Sequence, residues 1–227
     1  MENAVRAWAD RDMVAYGYLL DFYRRGARVC RAEEDSLILK NDDINICYAA
    51  GPDVSAPELR GCLLVLTDSA AVADTLTAEG AYREVMPCAQ AVYLEREAPE
   101  FRRPGLSCRM LTMDDMDFVL ENYHNPGAYA DHIRGRIQEG MLGGLVDGEL
   151  AGFAGVHQEG AMGMLEVLPR YRRRGLGEYL ECAVIRRQLE TGRFPYCHVR
   201  EGNDASRALQ EKLGLVFDRR TLYWLGP

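Results

Sequence analysis

No apolar run in this sequence approaches the roughly 20 residues needed to span a bilayer, so a membrane-spanning protein is not expected. The opening residues, MENAVRAWADRD, are polar and carry acids, unlike a secretory signal. There are seven cysteines: Cys30, Cys47, Cys62, Cys88, Cys108, Cys182 and Cys197. The number is odd and no two stand as CxxC, so a disulfide framework or a zinc knuckle fits poorly. Buried free thiols in a reducing cytoplasm fit better. His124, His132, His157 and His198 lack the HExxH or HxxxH spacing of a helical metal site, and no metal is expected. Positive charge is in deficit: 27 Lys plus Arg face 35 Asp plus Glu, a net charge of -8. That disfavours nonspecific binding of nucleic acid through overall charge. Short repeats and low-complexity tracts are missing too.

What is present is an ordinary globular composition over 227 residues, 48% hydrophobic and 27% charged, enough for one large domain or two small ones. The stretch EREAPEFRRPGL is charged, holds two prolines and a glycine, and lies between two strand-like runs. It reads as a linker at residues 99–105, between an N-terminal α+β unit (1–98) and a second unit (106–227). In the first, DMVAYGYLLDFYRRG reads as a helix, ARVCRAE, SLILKN, INICYAA and GCLLVLTD as strands, DSAAVADTLTAEG as a capped helix and CAQAVYLE as a strand. In the second, LSCRML is a strand, DDMDFVLENY a helix with Asp114 as N-cap, and PGAYADHIRGRIQEG a helix from Pro126 to Gly140. A hairpin turns at Asp147-Gly148, and AMGMLEVL is the next strand. A long amphipathic helix follows, with Leu176, Leu180, Ala183, Val184 and Leu189 near one face. PYCHVR is a strand, DASRALQEKLG a helix, and LVFDRRTLYWL one or two strands. The order β-α-α-β-β-β-α-β-α-β is α/β (α+β) in class.

One local exception stands against the acidic whole: PRYRRRGLGEYL, at 169–180. A strand, a glycine-rich turn and a helix in succession form a layout for binding phosphate. Successive N–H groups converge on one spot, and the helix N-terminus adds its positive dipole end. Gly175 and Gly177 let the backbone approach an anion, and Arg172, Arg173 and Arg174 add charge. The pattern is neither GxxxxGK[ST] nor GxGxxG, so a P-loop and a dinucleotide turn are disfavoured.

In context, LEVLPRYRRRGLGEYL resembles the acetyl-CoA signature of the GCN5-related N-acetyltransferases (GNAT), matching at Val167, Pro169, Tyr171, Arg172, Gly175 and Gly177. CHVREGNDASRALQEKLGLVF resembles the family's next motif, at Asn203, Ser206, Leu209, Lys212, Leu213 and Gly214. The resemblance covers about residues 105–225 and is nearest the FR47-like branch, which includes glycine N-acyltransferase-like proteins. It implies a mixed central sheet with flanking helices. The first unit is then a degenerate copy of the same fold or an unrelated cap. It implies transfer of an acetyl group from acetyl-CoA to a primary amine by direct attack. In that reading the loop from Arg172 through Leu176 to Gly177 holds the pyrophosphate of coenzyme A. The backbone of Val167 and Leu168 pairs with the pantetheine arm, and Asn203 and Ser206 complete the site.

Such chemistry needs a base for the amine and N–H donors for the developing oxyanion. His198 is the first candidate base, with Glu159 and Glu166 as rivals and His157 behind them. Strand alternation groups Glu166 with Met162, Met164 and Leu168, opposite Leu165 and Val167. Gln210 stands where the family often has a tyrosine acid; Tyr179, Tyr196 and Tyr223 are conceivable substitutes. Glutamine gives up no proton, so a non-catalytic acyl-CoA-binding or sensing protein is the alternative. The expected partner is a small-molecule or peptide amine, with no nucleic acid and no membrane, in the cytoplasm. A homodimer remains open.

Overall fold

Caps and turn residues set the corners of the chain. The computed structural model describes residues 1–123 and 130–227. Helices α1 (Glu2–Ala9) and α2 (Met13–Arg24) lead into strands β1 (Arg28–Ala32), β2 (Leu37–Asn41), β3 (Ile46–Ala50) and β4 (Leu64–Thr67). Helix α3 (Ala70–Ala78) and strands β5 (Glu84–Val92) and β6 (Leu106–Met110) follow. Next come α4 (Met116–Asn122), α5 (Ala130–Glu139), β7 (Leu142–Val146), β8 (Glu149–Val156) and β9 (Met162–Val167). The chain ends with α6 (Leu176–Glu190), β10 (Tyr196–Arg200), α7 (Asp204–Lys212) and β11 (Val216–Gly226).

Two compact units result, Met1–Leu94 with Tyr196–Pro227, and Glu95–Pro195. This division differs from a cut at residues 99–105 carrying everything downstream into the second unit. The reason is strand pairing: β11 lies antiparallel between β4 and β5, and β10 lies antiparallel to β5. The first unit's strands run in the order β1-β2-β3-β4-β11-β5-β10. The β3–β4 pair is parallel and the others are antiparallel. Asp12 starts α2 by accepting the N–H groups of Val14 and Ala15. The helix then packs Tyr18 and Phe22 on Tyr48, with ring centroids 4.9 and 4.7 Å apart. Tyr48's neighbours Cys47 and Ala49 point to the opposite face, into a core with Val72, Ala73 and Leu76 of α3. Every residue of β3 is therefore buried.

The second unit is an antiparallel sheet in the order β9-β8-β7-β6. Asp147 (φ 51°) and Gly148 (φ 87°) make the two-residue turn between β7 and β8, as their sequence signals. Phe153 and Met164 pack with Leu111, Val119, Ile133, Ile137 and Met141 under α4 and α5. Helix α6 takes the other face. At Gly144 a Cβ would lie 2.9 Å from methyl groups of Leu176 and Leu180, so the helix sits directly on the strand.

Several expectations are corrected. Helix α1 precedes the first helix expected from the sequence and buries Val5, Trp8 and Ala9. Thr112, not Asp114, opens the turn before α4, in a reciprocal capping box with Asp115. Pro126 lies outside the described residues. In α6 the buried face includes Glu181, Cys182, Ile185 and Gln188, with Ala183 and Leu189 only half-buried. No helix among the described residues is long and apolar enough to cross a membrane.

Phe153 is fully buried. Phe153→Ala should cost about 3–5 kcal/mol, the transfer term plus the cavity. The measurement is a urea denaturation series on the full chain. A loss below about 1 kcal/mol would show that this core is not what holds the second unit together.

Candidate functional site

The turn between β9 and α6 has left-handed backbone at two places, Arg173 (φ 65°) and Gly175 (φ 85°). A one-turn helix at Pro169–Tyr171 precedes it and drops Tyr171 inward. The buried Tyr171 hydroxyl donates to Glu149, and the guanidinium groups of Arg170 and Arg174 lie over its ring. Gly175 occupies the N-cap of α6, so no side chain caps the first N–H groups of the helix. Arg172, Arg173 and Arg174 are exposed. No ion pair holds any of them among the described residues.

The two glycines differ. A Cβ at Gly175 would be strained by its φ and would stand 3.0 Å from Phe101 Cζ and 3.1 Å from Arg103 Nη1. At Gly177 it would meet Leu165 and Val167 at ordinary distances, 3.7 and 3.8 Å. Only the first must be glycine. The backbone beside the loop is partly committed: Leu168 N–H donates to Ala151 O, and Val167 O accepts from Arg172 Nε at 2.9 Å.

Strand β9 carries a bulge that sequence reasoning missed. Phe153 faces Glu166 and Gly155 faces Gly163, so Met164 and Leu165 oppose the single residue Ala154. Met164 has φ 51°, and the bulge removes backbone from regular pairing. Methionine gives no hint of a left-handed conformation; only Gly163 beside it marks a break. The bulge also corrects the alternation. Glu166 shares a face with Phe153, Met164 and Gly163, whereas Met162 moves to the other face. Glu159 lies in the β8–β9 turn and is buried.

Beside that turn, the ring of His157 presses on Gly163, and His132 Nδ1 is 2.7 Å from Gln158 Nε2. Burial pushes both histidines down to about 4, with Arg136 adding to the effect on each and His157 to that on His132. Both are neutral at pH 7, and so weak a base suits neither to proton abstraction there.

The remaining predicted residues belong to the first unit. His198 stands on β10 amid Tyr18, Tyr48, Tyr196 and Trp224, with ring centroids 5.4–6.4 Å away. Asn203 is the N-cap of α7: its side chain accepts the N–H of Ser206. That gives the Asn-Asp-Ala-Ser run a local structural role. Gln210 is buried, as is Tyr196, and Tyr223 packs against the core under α3. Tyr179 belongs to the second unit, where burial and then Cys108 raise its pKa.

Residues 140–225 match the family model described as FR47-like protein. That likeness spans well under half of the chain. The match begins just before β7 and ends within β11, so it takes in strands of both units. The fold is shared with solved structures, several of them described as GNAT-family proteins. A Drosophila protein is 16% identical, with TM-score 0.72, covering 99% of this chain and 95% of its own. A GNAT-family protein from Novosphingobium aromaticivorans is 21% identical, with TM-score 0.59 and coverages of 83% and 87%. A tandem GNAT protein from the clavulanic acid biosynthesis pathway is 16% identical, with TM-score 0.50 and coverages of 99% and 96%. It pairs with the present chain over both units. No curated protein sequence matches the chain significantly.

His132 and His157, both half-buried, should make stability depend on pH. Unfolded, they titrate near ~6.5; folded, near about 4. Between those values the unfolded chain binds more protons, so stability is complete above the upper value and is lost as pH falls toward the lower. The urea midpoint should drop between pH 7 and pH 4.5, and less in the double variant His132→Gln, His157→Gln. An equal drop in both would assign the acid sensitivity elsewhere.

Proposed function

We propose that this chain is an acyl-CoA-dependent N-acyltransferase, with acetyl-CoA as donor and a primary amine, small molecule or peptide, as acceptor. The observation that carries the reading is the β9–α6 turn: two left-handed residues, a helix start with no side-chain cap, and three exposed arginines without an acidic partner. That donor set fits a pyrophosphate, an anion best met by backbone N–H groups and a helix dipole. The donor supplies an acyl group activated as a thioester. Arg172 to Gly177 would hold its pyrophosphate. Val167 O would take the pantetheine arm by its second lone pair or by releasing Arg172. Backbone N–H groups at the bulge, around Met164 and Leu165, would be the donors to meet charge developing on an acyl oxygen.

His198 is the proposed base, since an amine attacks only in its neutral form. Glu159 and Glu166 stand behind it. No acid is assigned at Gln210; a thiolate of pKa near ~8.5 leaves tolerably without one. The seven free thiols accord with a cytoplasmic setting. Gln210 also favours a second reading, a protein that binds acyl-CoA without turnover. Acetylation of any amine in a panel, or slow hydrolysis of acetyl-CoA, would exclude it.

Two outcomes test the proposal. Coenzyme A at about 100 times its dissociation constant should stabilise the protein by roughly 2.7 kcal/mol, read as a higher melting temperature. Gly175→Glu should abolish that shift, and Gly177→Ala, whose methyl fits, should keep it. A folded Gly175→Glu protein that binds normally would remove the loop from the site. For the base, His198→Ala should slow turnover about 10²- to 10⁴-fold. It should also lose the ascending limb of the rate between pH 6 and 9, with coenzyme A affinity unchanged. Unaltered turnover per folded molecule would move the role to Glu159 or Glu166.

A further inference from the structure

The segment before β6 does more than join two units. Residues 100–106 and the flank of α6 enclose an open cleft of about 680 Å³. Its lining holds three guanidinium groups, of Arg102, Arg103 and Arg186, against one carboxylate, Glu100. Glu100 lies 3.7 Å from Arg102, which leaves the two other arginines in excess. Neither Arg103 nor Arg186 has an ion pair or a side-chain hydrogen bond among the described residues, and both are exposed. Phe101 and Tyr179 give the same lining two aromatic faces. The cleft is also beside the loop: Phe101 and Arg103 are the atoms a Cβ on Gly175 would strike, at 3.0 and 3.1 Å. So two cations without partners and an aromatic ring stand next to the turn read as the pyrophosphate site.

We propose that this cleft is a second anion subsite, in which Arg103 and Arg186 take the 3′-phosphate of the coenzyme A ribose and Phe101 packs against the adenine. The proposal rests on the acyl-CoA reading of the neighbouring loop. The chemistry follows from the ligand. Its pyrophosphate and its 3′-phosphomonoester hang from one ribose, so a protein that holds the first brings the second close by. A phosphomonoester carries about −1.5 to −2 charge at neutral pH and is met well by guanidinium forks. An adenine offers a flat face that an aromatic side chain can cover. The loop's own arginines, 172–174, are separate from this pair in both sequence and lining. The linker thereby becomes a specificity element, one that distinguishes coenzyme A from analogues lacking the monoester.

The test is calorimetric titration of the full chain with coenzyme A and with 3′-dephospho-coenzyme A. Wild type should bind coenzyme A about 10- to 100-fold more tightly, the worth of charge-assisted bonds to one phosphate. In the double variant Arg103→Ala, Arg186→Ala that ratio should fall to within about threefold of unity. The loss should be confined to coenzyme A, with 3′-dephospho-coenzyme A bound as before. Arg103→Lys with Arg186→Lys should restore part of the ratio, because charge remains but the fork is lost. Equal affinities in wild type would overturn the subsite whether or not any variant folds. A ratio that survives the double alanine change would overturn it too, as would an equal loss for both ligands. If wild type binds neither ligand, the acyl-CoA reading falls and takes this one with it. If it binds both equally, the acyl-CoA reading stands alone.

Discussion

A protein of net charge -8 can hold a polyanion only where its own field is locally reversed, and on the proposed reading that constraint shapes the turn after β9. Charge alone would not suffice, because exposed arginines in water attract weakly and are screened by salt. The turn adds geometry. Left-handed backbone at Arg173 and Gly175 redirects successive N–H groups, and the glycine cap leaves the start of α6 open. Both features depend on the layers beneath. Gly144 lets α6 sit directly on β7, and Tyr171 pins the turn through Glu149. The same segment would be a solvated basic loop if either anchor were loose.

How much of this can be read from the sequence depends on whether the signal is local. The loop is legible because its glycines, proline and arginines act within a dozen residues. So are the hairpin at Asp147-Gly148 and the helix opened by Asn203, where turn and cap chemistry is confined to neighbours. The likeness to the FR47-like family model is legible for the same reason. The β9 bulge is not. It puts a methionine in a conformation no propensity assigns to it, and it is specified by how β8 and β9 pair. One unseen residue of slip then moves Met162 to the wrong face in any argument from alternation.

Long-range pairing hides other features as well. No sequence window shows that β11 runs between β4 and β5 or that β10 lies beside β5; those choices join segments more than a hundred residues apart. The compact units therefore do not follow the linker. The environment of His198 is hidden likewise, since its four aromatic neighbours come from α2, β3, β10 and β11. Asn203 combines two signals: its motif position suggests a ligand contact, and its side-chain oxygen also caps a helix.

The bond from Arg172 to the carbonyl of Val167 has a further consequence. An arm that displaced it would exchange one hydrogen bond for another, and such an exchange yields little net free energy. The grip on a coenzyme would then be lopsided, firm at the phosphates and nearly indifferent along the chain that leads to the thioester. A handle held by its charged end says nothing about what hangs from the other. Donors with different acyl groups would compete for the same grip on nearly equal terms, and the choice among them would be made by rates of reaction rather than by strength of binding.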